Sequence, residues 1–315
     1  MTDRKLAFLF PGQGSQAVGM LGEMIGSESV VSDTFKEASE ALGYDLADLV
    51  RNGPEDKLNA TERTQPAILT ASVALWRLWL DRDGPLPAFL AGHSLGEYSA
   101  LVASGVLPFA DAVQLVEKRG QLMQSAVPAG EGAMAAIIGL TDEQVAEACK
   151  AADDEVCEAV NYNAPGQVVI AGTKAGVDRG MAAAKDLGAK RALPLSVSAP
   201  SHCVLMKPAA ESLAAELAGI ALQDARIPIV QNVDGRAYTD VDILRTNLVE
   251  QLYKPVQWVR TVQNLSADGV GSACECGPGK VLAGLVKRID RAISVSPLES
   301  PEAFAEAVSA ARNEQ

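Results

Sequence analysis

Two histidines occur in the 315-residue chain, His93 and His202, and one of them stands beside a serine in a turn suited to a nucleophile. The run Gly92-His93-Ser94-Leu95-Gly96 matches G-x-S-x-G, the sharp strand-to-helix turn that lifts a serine hydroxyl clear of a sheet. A serine hydroxyl is a weak nucleophile and needs an adjacent base. His93 is the serine's neighbour in the turn, so its ring should point elsewhere. His202, in Ser198-Ala199-Pro200-Ser201-His202, is then the one histidine able to take the Ser94 proton. No acidic residue occupies an obvious triad position, so a backbone carbonyl or an amide is expected to orient the ring. The helix opening at Leu95 aims unpaired N–H groups and a positive dipole end at Ser94. The Leu95 N–H is therefore a candidate donor to the oxyanion of a tetrahedral intermediate.

Arg119 speaks to the substrate. On a helix from about Asp111 to Ser125, a rotation of about 100° per residue gathers Ala112, Leu115, Val116, Leu122, Met123 and Ala126 around it. Gln114, Glu117, Gln121 and Gln124 fall on the opposite side. A cation centred on an apolar face is costly unless paired. Three readings stay open: a salt bridge to an internal acid, a stem that snorkels to the edge, or a fork awaiting a substrate carboxylate. Gln13 lies in the glycine-rich turn Pro11-Gly12-Gln13-Gly14-Ser15-Gln16. Such a turn can donate a second backbone N–H to an oxyanion or cradle a phosphate, although a plain tight turn explains it too. No Gly-Lys-Ser/Thr follows, so it is not a Walker A loop.

The elements that must hold these residues read as an α/β chain. Lys5–Phe10 is a strand ending at Pro11, a helix follows Pro66 to about Leu80, and Ala88–Ala91 is the strand before the elbow. The elbow helix runs to about Ser104. Then the pattern changes. Gly132–Leu140 and Thr141–Ala152 read as strand and helix, with Thr141 as N-cap. Glu155–Tyr162 and Gly166–Gly172 are strands about a Pro165-Gly166 turn, followed by a helix Lys174–Leu187 and a strand Lys190–Val197. The order βαββαβ predicts a ferredoxin-like subdomain over residues 128–197, inserted between residues 1–127 and 198–315 of a larger α/β domain. After it come helices near Pro208–Ala218 and Asp242–Tyr253, strands at Ile227–Val233 and Gly271–Glu275, the turn Gly277-Pro278-Gly279 and a last helix.

A net charge of −13 argues against nucleic acid as the main partner. The five cysteines are odd in number and lack framework spacing, and Cys274-Glu-Cys276 is too close for a usual zinc site. All five are expected to be reduced thiols, with no metal and no cofactor required. No signal peptide and no apolar stretch of membrane-spanning length is evident, so a cytoplasmic protein without a membrane partner is expected. No coiled coil or broad apolar stripe demands an oligomer, and a monomer is expected.

Taken together, the motifs resemble those of the malonyl-CoA:acyl carrier protein transacylase family. Phe10-Pro11-Gly12-Gln13-Gly14-Ser15-Gln16, the elbow continued through Glu97-Tyr98-Ser99-Ala100-Leu101, and Arg119-Gly120 are similar to its first three motifs. Asn161-Tyr162-Asn163-Ala164-Pro165-Gly166-Gln167, the His202 loop, the segment Gln251 to Trp258 and Glu275-Cys276-Gly277-Pro278-Gly279 complete the likeness, which covers nearly the whole chain. The resemblance implies a hydrolase-like α/β core with a ferredoxin-like subdomain. It implies a ping-pong transfer, in which Ser94 takes malonyl from malonyl-CoA and passes it to the phosphopantetheine thiol of an acyl carrier protein, for fatty-acid or polyketide synthesis. Arg119 would hold the free carboxylate. The N–H groups of Gln13 and Leu95 would form the oxyanion hole, Gln251 would orient His202 through its carbonyl, and Asn163 would lie near the pocket. Two positions depart from or qualify the pattern: Gln257 stands where arginine is common, and Ser201 precedes the histidine at a position associated with malonyl or methylmalonyl choice.

Three rivals remain. A serine esterase or thioesterase would share the elbow but usually orders its triad Ser…Asp/Glu…His. A transferase of neutral acyl groups would leave Arg119 unpaired. A catalytically dead carrier-docking module would have no need of Ser94, His202 and Arg119 together.

Overall fold

The computed structural model describes residues 5–128, 130–197 and 199–313; Ser198, the first residue of the histidine-loop motif, lies outside them. Its strands are β1 (Lys5–Phe10), β2 (Phe89–Gly92), β3 (Gly132–Ile138), β4 (Cys157–Ala164), β5 (Gln167–Thr173), β6 (Arg191–Pro194), β7 (Ile229–Val230), β8 (Ala237–Tyr238), β9 (Val270–Glu275) and β10 (Ser294–Pro297). They form two sheets. The larger has the order β10-β9-β1-β2-β7-β8, parallel except for β8 at one edge. The smaller, β4-β5-β3-β6, is antiparallel throughout.

Both faces of the larger sheet are covered, which is why Ala7-Phe8-Leu9-Phe10 is a continuous apolar run without polar alternation. Successive side chains still point to opposite faces. Phe8, Phe10 and Leu90 enter a large core with Trp76, Trp79 and Leu101. Ala7, Leu9, Ala91 and Val230 meet Trp258, Val262, Leu282 and Val286 on the other side. In the smaller sheet, Ala135, Ile137, Val168 and Ile170 face the helices Asp142–Lys150 and Lys174–Asp186. The opposite face, with Met134, Val160, Val169 and Ala171, turns toward Cys203 in the histidine loop. Thr141 caps its helix, and with Gln144 forms a reciprocal capping box.

Several boundaries differ from the sequence pattern. The helix placed after Pro66 begins at Thr61, so Pro66 sits in its second turn. The strand expected over 227–233 is two residues long, because the chain turns after Gln231, whose side chain and that of Asn232 make contacts at the site. Residues 22–58, where no elements were expected, carry four helices: Gly22–Ser27, Ser29–Leu42, Leu46–Asn52 and Glu55–Leu58. The expected last helix, Val281–Ile289, is followed by β10 and by the helix Pro301–Asn313, and Trp258–Ala267 is a further helix. No helix among the described residues is long and apolar enough to cross a membrane.

Candidate active site

Ser94 stands at the carboxyl end of β2, between the ends of β1 and β7, where open α/β sheets bind ligands. Its φ is +51°, a left-handed conformation that costs a residue with a Cβ about 1–3 kcal/mol. The flanking glycines make the sharp turn possible. A Cβ on Gly92 would lie 2.0 Å from the Gly96 carbonyl carbon, and one on Gly96 would lie 2.0 Å from the Phe10 oxygen. G-x-S-x-G is thus a packing requirement where the helix Gly96–Ala103 starts against β1 and β2.

His202 Nε2 lies 2.8 Å from Ser94 Oγ. Nδ1 lies 2.7 Å from the Gln251 carbonyl oxygen. A carbonyl only accepts, so Nδ1 carries the proton and Nε2 is left to accept from the serine. The ring is 2 % exposed. Burial, and then the positive charge of Arg119, push its pKa down to about 3. The imidazole is therefore neutral, as a base must be before it works. We expect side-chain NMR to find no imidazolium at His202 between pH 8 and pH 5; titration near 6.5, where a free imidazole titrates, would contradict this environment.

His93 points away from Ser94. Its Nε2 lies 2.7 Å from Asn163 Oδ1, and its ring tilts against Trp258. Asn163 is thereby engaged with the elbow's histidine, while Asn161 of the same strand faces the pocket. The pocket is a cavity of about 120 Å³ lined by Gln13, Ser94, Met134, Asn161, Leu195, Ser201 and His202, among others. Among the described residues, the N–H groups of Gln13 and Leu95 meet no acceptor.

Arg119 is fully buried on the helix Phe109–Ser125 and lies behind Ser94, outside the cavity lining. Nη1 donates to Gln65 Oε1 at 2.8 Å, and Nη2 donates to Gln251 Oε1 at 3.1 Å and to Ser94 Oγ at 3.3 Å. Nε has no partner, and no ion pair among the described residues includes Arg119. The internal salt bridge and the snorkelling stem are both absent there. What remains is a desolvated guanidinium, its pKa lowered by burial, over the Tyr98 ring at 5.2 Å and touching the Ser94 hydroxyl.

Sequence reasoning missed Gln65, Gln231 and Asn232, and treated Glu97 only as part of a motif. Gln65 is fully buried in its helix, between the polar opening Thr61-Glu62-Arg63-Thr64 and the apolar Pro66-Ala67-Ile68-Leu69. Gln231-Asn232 follows the apolar Ile227-Pro228-Ile229-Val230. A polar pair interrupting a strand at its carboxyl end was the available signal. Among the described residues, no group of three His, Cys, Asp or Glu side chains could hold a metal ion.

A neutral histidine, a strained serine and unpaired N–H donors at the end of a parallel sheet define a site for acyl transfer, and an acyl transferase domain family matches residues 7–308. The malonyl CoA-acyl carrier protein transacylase of Escherichia coli (strain K12) is 58% identical over 305 residues, covering 96% of this chain and 99% of the relative. An acyl carrier protein S-malonyltransferase structure from Vibrio cholerae superposes with a TM-score of 0.94 at 55% identity, covering 96% and 99% of the two chains. A malonyl-transacylase solved in complex with its type II PKS acyl-carrier protein gives 0.96 at 51% identity, covering 97% and 99%. The chain belongs to the malonyl-CoA:acyl carrier protein transacylase family.

Proposed function

We propose that this chain moves a malonyl group from malonyl-CoA to the phosphopantetheine thiol of an acyl carrier protein, by way of a malonyl-serine at Ser94. One observation carries the reading: the fully buried Arg119, without an ion-pair partner among the described residues, lies 3.3 Å from a serine hydroxyl that is itself 2.8 Å from a neutral histidine. Malonyl has its carboxylate two carbons from the acyl carbon, so a guanidinium beside the nucleophile matches its length.

In the first half, Ser94 Oγ attacks the thioester carbonyl while its proton passes to His202 Nε2. The oxyanion is met by the N–H groups of Leu95 and Gln13. Its collapse expels the CoA thiolate, which takes the proton from Nε2. In the second half Nε2 takes the proton of the carrier's thiol, the thiolate attacks the ester, and Ser94 leaves with that proton. Gln251 keeps the ring's tautomer through its carbonyl, and its side chain steadies Arg119. Asn163 acts at one remove, by fixing His93.

The same reading makes the chain a cytoplasmic monomer serving fatty-acid or polyketide synthesis. It divides the chain into a hydrolase-like core (1–127 and 198–315) and a ferredoxin-like subdomain (128–197). The sheet order β4-β5-β3-β6 with two helices on one face supports the latter. The exposed pairs Lys190-Arg191 and Lys287-Arg288 are candidates for the rim that meets the carrier.

The test is rapid mixing with malonyl-CoA alone. A burst of one CoA per chain is expected, and the acyl-enzyme should then discharge to holo carrier protein far faster than to water. The absence of a burst, or discharge to water at the same rate, would overturn the reading.

A further inference from the structure

Ser94 holds its left-handed conformation in a turn where β1 still takes the His93 N–H on its Phe10 oxygen, while the pairing with β7 on the other side has ended. β2 and β7 pair only through Leu90↔Ile229 and Ala91↔Val230. Beyond them the main chains diverge, and one side chain continues the ladder. Asn232 Nδ2 donates to the Gly92 oxygen at 2.6 Å, and Asn232 Oδ1 accepts from the Ser94 N–H at 2.6 Å. One carboxamide thus clasps both sides of His93, using the two backbone groups that bracket the strained turn.

Asn232 is itself held. Glu97, in the first turn of the elbow helix, accepts from the Asn232 N–H through Oε2 at 2.9 Å and from Gln231 Nε2 through Oε1 at 3.0 Å. Glu97 is fully buried and appears in no ion pair among the described residues. Burial pushes its carboxyl up to about 7, against the pull of these hydrogen bonds, of the Gln251 side chain and of Arg119. A buried carboxyl without a contacting cation is costly to keep. Its hydrogen bonds here serve the segment that grips the elbow.

We propose that Asn232 and Glu97 are positioning residues for the nucleophile: Asn232 clasps the Gly92 oxygen and the Ser94 N–H, and Glu97 locks Asn232 in place. Neither side chain is in the cavity lining, and their action on the reaction runs through the Ser94 backbone. The inference rests on Ser94 as the nucleophile.

The experiment compares Asn232→Ala, the isosteric Asn232→Asp, Glu97→Gln and the Asn232→Ala/Glu97→Gln double variant with the parent chain. Ser94→Ala is run alongside. The readouts are the rate of the CoA burst, the KM for malonyl-CoA, and the malonyl-to-acetyl preference. For Asn232→Ala the burst rate should fall on the order of 100-fold, the cost of misplacing a reacting group by about an ångström. KM and malonyl preference should stay near parent values, because Arg119 keeps its bonds to Gln65 and Gln251; general loosening of the fold would move all three. Asn232→Asp tests the same point if the alanine variant does not fold. It keeps the shape but has no donor for the Gly92 oxygen, so it should also slow the burst. Glu97→Gln should slow the burst in the parent and add little in the Asn232→Ala background, since it acts through that residue. A parent-like burst in either Asn232 variant, a change in KM alone, or full additivity in the double variant would overturn the proposal. A malonyl label surviving on Ser94→Ala would instead overturn the nucleophile assignment beneath it.

Discussion

Ser94→Ala is expected to abolish covalent malonylation and to cut turnover by on the order of 10⁵-fold or more. The basis is the hydroxyl itself: Oγ is the atom that would carry the acyl group, and among the described residues it is the hydroxyl that meets His202 Nε2, while Nδ1 is taken by the Gln251 carbonyl. The substitution is mild elsewhere. Alanine keeps a Cβ, so the +51° φ is no harder to adopt, and the backbone bonds from the Ser94 N–H to Asn232 and from Gln251 Nε2 to the Ser94 oxygen survive. Two contacts are lost, to His202 Nε2 and Arg119 Nη2. The variant should therefore melt close to the parent and still bind malonyl-CoA. Intact-protein mass spectrometry after incubation with malonyl-CoA decides it. A mass shift of one malonyl group on the mutant would place the nucleophile elsewhere.

Much of this site is legible in the sequence. The elbow motif implies strand, turn and helix in that order, and a chain with two histidines leaves little choice of base. The absence of an acid near the histidine was also readable, and it pointed to a backbone carbonyl or an amide, with Gln251 supplied by the family resemblance. Periodicity placed Arg119 on an apolar face but could not say what met it there. A helical wheel shows which way a side chain leaves its own helix, while the partners Gln65 and Gln251 arrive from 54 and 132 residues away. Asn232 was hidden for a related reason. It resembled the tail of a strand, and its role depends on that strand ending early. Three of the four helices over 22–58 are too short to show a period, whereas Ser29–Leu42 buries Val31, Thr34, Phe35 and Ala38 at helical spacing, a signal the sequence carried and the reading passed over.

The Arg119→Ala variant should lose its preference for malonyl while keeping acyl transfer. In the free protein the guanidinium is desolvated, has an unpartnered Nε, and faces two glutamine oxygens and the serine hydroxyl. A carboxylate arriving with the substrate would supply the charge this site lacks, through a fork suited to receiving it. Removing one partner of a buried, hydrogen-bonded ion pair costs about 3–5 kcal/mol, which corresponds to roughly 10²- to 10³-fold or more in kcat/KM for malonyl-CoA. Acetyl-CoA has no such charge, so its kcat/KM should hold or rise. Arg119→Met, which fills more of the volume without the charge, separates lost charge from lost packing; both variants should show the collapsed malonyl-to-acetyl ratio. The His202 contact to the Gln251 carbonyl does not involve Arg119, so the base stays in place and acyl transfer persists. Stability gives an independent check. Among the described residues no acid contacts Arg119, and the buried Glu97, which feels its charge at a distance, keeps its hydrogen bonds from Asn232 and Gln231, so the melting temperature of Arg119→Met should not show the steep fall that breaking a contacting salt bridge produces. An unchanged selectivity ratio would mean that the carboxylate is held elsewhere, and that this buried cation serves the serine's environment alone.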